Sequence, residues 1–279
     1  VGPPDGSGYH PVRTLLCPLT FGDSLTFERV SSGVELISEY PGFPIDESNL
    51  IWRAYRALGA LNPGMGGIRV VVDKRIPIGG GLGGGSSNAA AALTAVDELY
   101  GLGLSLDAKL RLAATIGADV PFFVLRRAVF ASGYGEIVTP VSGPGGIWTV
   151  VAWSGEPVST RWVYESYDRY LKGTTPARRF FWGKILNAWQ GGKLEQIASV
   201  VSNQLETVVL EKRPEIATLK ELMLASGALC ALLCGSGESV FALVDTEEKG
   251  ENLKKELLDR GYQCNLCQVV NHVNIMALS

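Results

Sequence analysis

Hydrophobic and polar positions along the chain fall into two alternating patterns. Short β-branched or apolar runs read as strands over Val12–Pro18, Ser24–Val30, Val34–Ser38 and Ile68–Lys74. Between the last two, Leu50, Ala54, Ala57, Leu58 and Leu61 recur at helical spacing behind a capping Ser48 or Asn49. A helix is therefore predicted to about Leu61, where Asn62-Pro-Gly64 breaks it. Ala89, Ala92, Leu93, Val96 and Tyr100 mark one face of a second helix, and Ser105 caps a third that runs to about Ile116. Val129–Ser132 and Glu136–Val141 read as strands around Gly133-Tyr-Gly135. Beyond the linker-like Ser142-Gly-Pro-Gly-Gly146 the pattern restarts with a strand at Ile147–Trp153. Helices follow near 160–171, 177–190, 193–211 and 214–225. Strands at Ala228–Leu233, Ser239–Val244 and Cys267–Asn274 come next, with a helix at 246–260. Mixed alternation of this kind predicts an α+β protein of two domains, 1–146 and 147–279.

One stretch departs from both patterns. Six of the seven positions from Gly79 to Gly85 are glycine, between the Ile68 strand and the second helix. Glycine lets a backbone approach a ligand closely, and the first N–H groups of a helix are unpaired at the positive end of its dipole. Three anion-binding readings compete. Gly79-x-Gly81-x-x-Gly84 satisfies the dinucleotide fingerprint, but Asp97 and Glu98, near the required distance, sit inside the helical pattern. Gly80 to Ser87 has Walker A spacing, with Ser86 where the lysine must stand. The third is a lysine-free phosphate loop using backbone amides and the Ser86 and Ser87 hydroxyls. A plain glycine hairpin is the bland alternative.

Composition narrows the partners. The chain has 279 residues, 46% hydrophobic and 19% charged, as in a globular protein with ample core. A net charge of −3 and the lack of a basic run argue against nucleic acid. No run of eighteen apolar residues and no signal-peptide pattern occurs, so no membrane partner and a cytoplasmic setting are expected, with a plastid as the alternative. Five cysteines, an odd number, suit free thiols in a reducing compartment. Cys264-x-x-Cys267 has the spacing of a redox or metal pair, but a second such pair is missing and only His10 and His272 are present, which argues against zinc.

Three further places carry candidate chemistry. Asp119 stands between the Gly117 helix stop and the apolar Phe122-Phe-Val-Leu125, where it is either a base for a hydroxyl nucleophile or a capping aspartate. Gly235-Ser236-Gly237 lies between two apolar strands, either as a hairpin turn or as a second backbone surface facing the first glycine loop. Gly8-Tyr9-His10 combines an aromatic face with a polar ring, a weak signal for a base-stacking platform. On its residues alone Tyr164 reads as packing.

Taken together, these motifs resemble a known family. Pro77-Ile-Gly-Gly-Gly-Leu-Gly-Gly-Gly-Ser-Ser87 is similar to the phosphate loop of the GHMP kinases, the galactose, homoserine, mevalonate and phosphomevalonate kinase superfamily. Gly8-Tyr-His10, Gly117-Ala-Asp-Val-Pro-Phe-Phe123, Gly133-x-Gly-Glu136 and Cys234-Gly-Ser-Gly237 follow in the family's order, so the resemblance spans nearly the whole chain. It is strongest to the branch that acts on a cytidyl-bearing alcohol in the non-mevalonate isoprenoid pathway. The resemblance implies a ribosomal protein S5 domain 2-like N-terminal domain and a ferredoxin-like C-terminal domain. It implies ATP and Mg²⁺ as cofactors, and a small cytidyl molecule as substrate. Pro77, Gly79, Gly80, Gly81, Leu82, Gly83, Gly84, Gly85, Ser86, Ser87 and Asn88 would hold ATP, with Ser86 or Ser87 in reach of the metal. Asp119 would be the base. Tyr9, His10, Thr160, Tyr164, Gly235, Ser236 and Gly237 would meet the substrate, the cytosine lying between two tyrosines.

The family's opening Pro-Ala-Lys-x-Asn-Leu strand has no counterpart before Gly8. The expectation is a chain entered partway through its first domain, leaving a strand edge unpaired and Asp119 without its lysine. The alternatives are a GHMP kinase for another small alcohol and a catalytically silent nucleotide-binding protein.

Overall fold

The computed structural model describes residues 1–6, 8–173 and 182–272. Its N-terminal half is organised on β4 (Gly67–Asp73), whose β-branched run places Ile68, Val70 and Val72 on one face. β2 (Ser24–Val30) pairs antiparallel with β4, from Ser24↔Asp73 to Val30↔Gly67. β3 (Val34–Ile37) pairs parallel on its other side, from Val34↔Ile68 to Ile37↔Val71. A parallel neighbour needs a crossover, and α1 (Leu50–Leu61) supplies it. Ile51, Ala54 and Leu58 of α1 join the sheet face, together with Ala89, Leu93 and Val96 of α2 (Gly84–Tyr100), in one core. Each large side chain buried there contributes about 1.5–3 kcal/mol. α3 (Leu106–Ile116) is capped by Ser105, whose hydroxyl accepts from Ala108 N at 3.2 Å.

A second small sheet runs β1 (Thr14–Leu16), β5 (Val129–Ser132), β6 (Ile137–Pro140), all antiparallel. Among the described residues no strand pairs with the free edge of β1 or of β2. The C-terminal half builds a four-stranded antiparallel sheet in the order β10-β7-β9-β8, from β7 (Ile147–Trp153), β8 (Cys230–Leu233), β9 (Val240–Leu243) and β10 (Gln263–Val269). That order, with helices between β7 and β8 and between β9 and β10, is the ferredoxin-like βαββαβ arrangement. Val150, Ala152, Val240 and Ala242 pack one face against Ile216, Leu219, Met223, Leu253 and Leu257. On the other face Val151, Trp153, Phe241 and Cys267 receive Leu82, so the glycine loop itself docks on the second sheet.

The observed elements differ from the expected ones at defined places. The Val12–Pro18 strand shortens to β1. Leu61, expected on the buried side of α1, is 59% exposed, and Ile51 is buried instead. Phe122-Phe-Val-Leu125 forms a short helix, α4 (Val120–Leu125), with Pro121 in its first turn. α5 (Thr160–Gly173) and α6 (Trp182–Gly191) appear near their expected positions, while residues 177–181 lie outside the described residues. The helix expected over 193–211 splits into α7 (Leu194–Val200) and α8 (Glu206–Lys212), because Val201 turns extended and Asn203 uses its side chain elsewhere. α9 (Pro214–Ala225) and α10 (Glu247–Asp259) follow. The last strand lies at β10, not at Cys267–Asn274, its register fixed by Gln263↔Trp153 through Val269↔Ile147; residues 273–274 are outside the described ones.

Candidate active site

The glycine loop carries the chain from β4 to the N-terminus of α2. Gly83 stands at the N-cap with φ 69°, and Gly84 and Gly85 open the first turn. A cleft of about 310 Å³ lies over this turn. Every residue expected to hold ATP lines it except Ser87, whose hydroxyl donates back to Gly84 O at 2.8 Å. Phe43, Pro44, Asn49 and Lys74 are among the other residues of its wall. The dinucleotide reading of the loop fails structurally as well. Asp97 is buried inside α2, paired with Lys109 at 2.6 Å and accepting from Leu104 N, far from any ribose role.

Two devices fix the loop. Asp23, just before β2, accepts from Arg75 N and Ile76 N at 2.8 Å each and from Lys74 Nζ at 2.9 Å. The Asp23 and Lys74 side chains are only 1% and 3% exposed, so this pair pins the corner that leads into Pro77. Burial pulls the Lys74 ammonium below its ordinary range, opposed by its contact with Asp23. The second device is the Gly235-Ser236-Gly237 turn. Gly81 has φ 79°, and a Cβ there would overlap Cys234 O and lie 2.7 Å from Gly237 N. A Cβ on Gly237 would overlap the Gly80–Gly81 backbone, and Ser239 N donates to Gly80 O at 3.2 Å. The two loops thus meet backbone to backbone. Asn203 holds the turn from behind, donating to Leu233 O at 2.9 Å and Gly235 O at 2.7 Å, while Glu206 accepts from Leu233 N. Thr160, expected on the substrate side, lies on the wall of the glycine-loop cleft, its hydroxyl 3.0 Å from that of Ser236.

Asp119 occupies the N-cap position of α4, yet its side chain caps nothing. α4 packs Phe123 against Gly83, where a Cβ would come within 2.6 Å of the ring, so Asp119 sits at the same end of the molecule as the loop. Asp119 is exposed at the surface, yet the protein packed around its carboxylate desolvates it enough to raise it above its ordinary range. Among the described residues no ion pair reaches it. The Tyr164 phenol is pushed up too, first by burial and then by the Asp119 charge, which places the two groups near each other.

The aromatic residues are arranged differently from the expected sandwich. Tyr9 is 67% exposed and its ring lies 5.7 Å from that of Tyr134, while Tyr164 packs at 4.9 Å on the buried ring of His10. His10 Nδ1 is 3.0 Å from Gly2 O, and Nε2 is 3.3 Å from Asp168 Oδ2. Asn49, Lys74, Asp23, Asn203 and Asp168 carried no functional signal in the sequence.

The cysteines take no part. All five are free thiols. Burial pushes Cys17 and Cys267 up to about 12 and Cys230 and Cys264 up to about 11, the reverse of a reactive thiolate. Among the described residues no group of three His, Cys, Asp or Glu side chains could hold a metal, and no helix is long and apolar enough to cross a membrane. A cavity of about 330 Å³ between α6 and α7, lined by Lys184, Asn187, Ala188, Gln196, Ser199 and Val200, contains none of the candidate residues.

Known proteins share this arrangement. A family model for the GHMP kinase N-terminal domain matches residues 49–127, which include the loop and Asp119, and one for the GHMP kinase C-terminal region matches 189–263, which include Asn203 and the Gly235 turn. A 4-diphosphocytidyl-2-C-methyl-D-erythritol kinase of Geobacter metallireducens is 36% identical over 258 residues, 90% of this chain and 86% of its own. One from Symbiobacterium thermophilum is 38% identical over 254 residues, 90% and 88% of the two chains. A crystal structure of 4-(cytidine 5'-diphospho)-2C-methyl-D-erythritol kinase superposes with a TM-score of 0.80 at 32% identity, over 97% of this chain and 94% of that one. Likeness of this extent, in sequence and in fold alike, means that the chain belongs to the GHMP kinase family of small-molecule kinases.

Proposed function

We propose that the chain transfers the γ-phosphoryl group of ATP to the 2-hydroxyl of 4-diphosphocytidyl-2-C-methyl-D-erythritol, a step of the non-mevalonate isoprenoid pathway. The observation that carries this is a backbone-lined cleft at a helix N-terminus, with an exposed but partly desolvated carboxylate at the same end, in a chain similar to such kinases over nine-tenths of its length. Phosphoryl transfer asks for positioning and charge stabilisation more than covalent help. The N–H groups and dipole of α2 serve the phosphates, and the Gly235–Gly237 turn, locked against Gly81, keeps that cradle in shape.

Asp119 accepts the proton of the 2-hydroxyl as its oxygen attacks phosphorus and the bond to the ADP oxygen breaks. Desolvation suits it to this, because a raised carboxyl is a stronger base. A Mg²⁺ ion entering with the nucleotide would supply charge neutralisation at the phosphates, and Ser86, which lines the cleft, would be the side-chain oxygen to hold it. Tyr9, His10 and Tyr164 form the cytidyl side, and Thr160 joins it to the glycine cleft. We read residues 1–146 and 147–279 as the two domains between which the substrates meet.

Turnover of ATP with the cytidyl substrate, mevalonate and homoserine tests the reading; activity only with mevalonate or homoserine overturns it. Asp119→Asn should lower kcat by about 10²–10⁴-fold while KM for ATP stays within a few-fold. An unchanged kcat removes Asp119 from the mechanism.

A further inference from the structure

Along α5 three polar or aromatic residues recur at intervals of four, Thr160, Tyr164 and Asp168, and so share one face of the helix. Each touches a different part of the site. Thr160 meets Ser236 at 3.0 Å, Tyr164 packs its ring on His10 at 4.9 Å, and Asp168 reaches His10 Nε2 at 3.3 Å. The third contact stands outside every motif noted in the sequence. His10 is buried, and both of its ring nitrogens face oxygen, Gly2 O on one side and Asp168 on the other. Of these three neighbours only Tyr164 and Asp168 come from the second half of the chain. The imidazole therefore has its plane set by Tyr164 and its rotation about that plane set by Asp168.

We propose that Asp168 is a positioning residue for substrate recognition, holding His10 on Tyr164 so that the Gly8–His10 loop is fixed over the C-terminal half of the molecule. The inference rests on the reading of this loop as the cytidyl side. A carboxylate in this place does two things that a packing residue would not. It faces a polar atom of a buried ring across 3.3 Å, an ion-pair contact when the ring is protonated, and it ties a loop of the first half to a helix of the second. Losing it leaves the ring held only by Gly2 O and the Tyr164 ring, and a displacement on the order of 1 Å in a recognition loop is enough to weaken binding and positioning severalfold or more.

The test is steady-state kinetics on the full chain, with ATP and 4-diphosphocytidyl-2-C-methyl-D-erythritol varied separately. Asp168→Ala should raise KM for the cytidyl substrate by roughly tenfold, the cost of about one lost contact to a charged group, and leave KM for ATP within about twofold. Asp168→Asn keeps an oxygen acceptor in the same place and should recover most of the loss, which a merely structural role would not predict. Thermal melting of both variants identifies any that fail to fold, and Asp168→Asn then carries the comparison with binding of cytidine 5'-diphosphate as readout. Equal rises in both KM values overturn the proposal, as does an unchanged cytidyl KM in Asp168→Ala. In the latter case, if His10→Ala and Tyr164→Ala still raise that KM, the cytidyl reading of the loop survives without Asp168. If they do not, that reading falls as well.

Discussion

Around Gly81 the molecule presents backbone, whereas around His10 it presents side chains. The glycine loop and the Gly235–Gly237 turn interlock through main-chain atoms, with no room for a Cβ at Gly81 or Gly237. The Tyr9–His10 region is made of rings and a carboxylate drawn from an N-terminal loop and from α5, more than 150 positions apart in sequence. On the proposed reading, the difference follows from what each side would hold. Phosphates are alike in all nucleotides and are met by N–H groups, which any sequence carries once glycine permits the approach. A base has a particular outline and edge, and only side chains supply shape and a polar pattern. One side of the site is therefore a constraint on backbone geometry and the other a constraint on side-chain identity, and the two should fail in different ways.

Breaking the backbone side should have the larger effect. Gly81→Ala puts a methyl group into Cys234 O, and because both walls are main chain, one loop has to move. The expected result is a fall of roughly hundredfold in kcat/KM for ATP, the usual consequence of misplacing reactive groups by about 1 Å. Gly33→Ala is the control. Gly33 has a similar φ of 76° but nothing within 4 Å of a Cβ. It should cost about 1 kcal/mol of stability from the left-handed conformation and leave the kinetics intact. Equal kinetic losses in the two variants would mean that strain, not close approach, explains the effect.

On the other side, Tyr164→Ala should raise KM for the cytidyl substrate about tenfold, within the range of one lost stacking surface, and leave KM for ATP unchanged. Equal effects on both substrates would erase the contrast between the two sides. A partial effect on kcat would instead point to the neighbouring Asp119, whose charge Tyr164 feels.

The same contrast governs what could be read in advance. The glycine cradle was legible because it is local: a β-branched strand, a dense glycine run and a helix N-terminus follow one another within Ile68–Tyr100. The Gly235 turn was legible as a turn, but its meeting with Gly81 is a tertiary fact, as are the Asp23–Lys74 pin and the Asn203 clamp. Tyr164 had no signal of its own and entered through resemblance alone. The misplaced elements have a common cause. Polar residues at Gln263 and Asn265 hid the start of β10, whose register is imposed by β7. Four apolar residues after Pro121 gave no period, and their packing on α2 made them a helix.

Asp119 stands between the two sides and yields the smallest expected effect, one of stability. Its folded-state carboxyl is raised above the ordinary value of 3.8 by desolvation, so folding favours the protonated form. The favourable contribution of a group shifted in this direction is complete below its unfolded value and is lost as pH rises through the folded one. At neutral pH the ionised Asp119 is therefore a burden on the fold, lightened by its access to solvent. Asp119→Asn should melt at the same temperature as the unsubstituted chain or slightly higher at pH 7, and the gain should shrink to nothing as pH falls below about 3.8. Since the same substitution is expected to abolish most turnover, the pair of measurements separates a residue kept for chemistry from one kept for structure. A melting temperature that drops at pH 7 would show that the carboxylate is held by favourable contacts, and its raised basicity would then no longer support a role as the base.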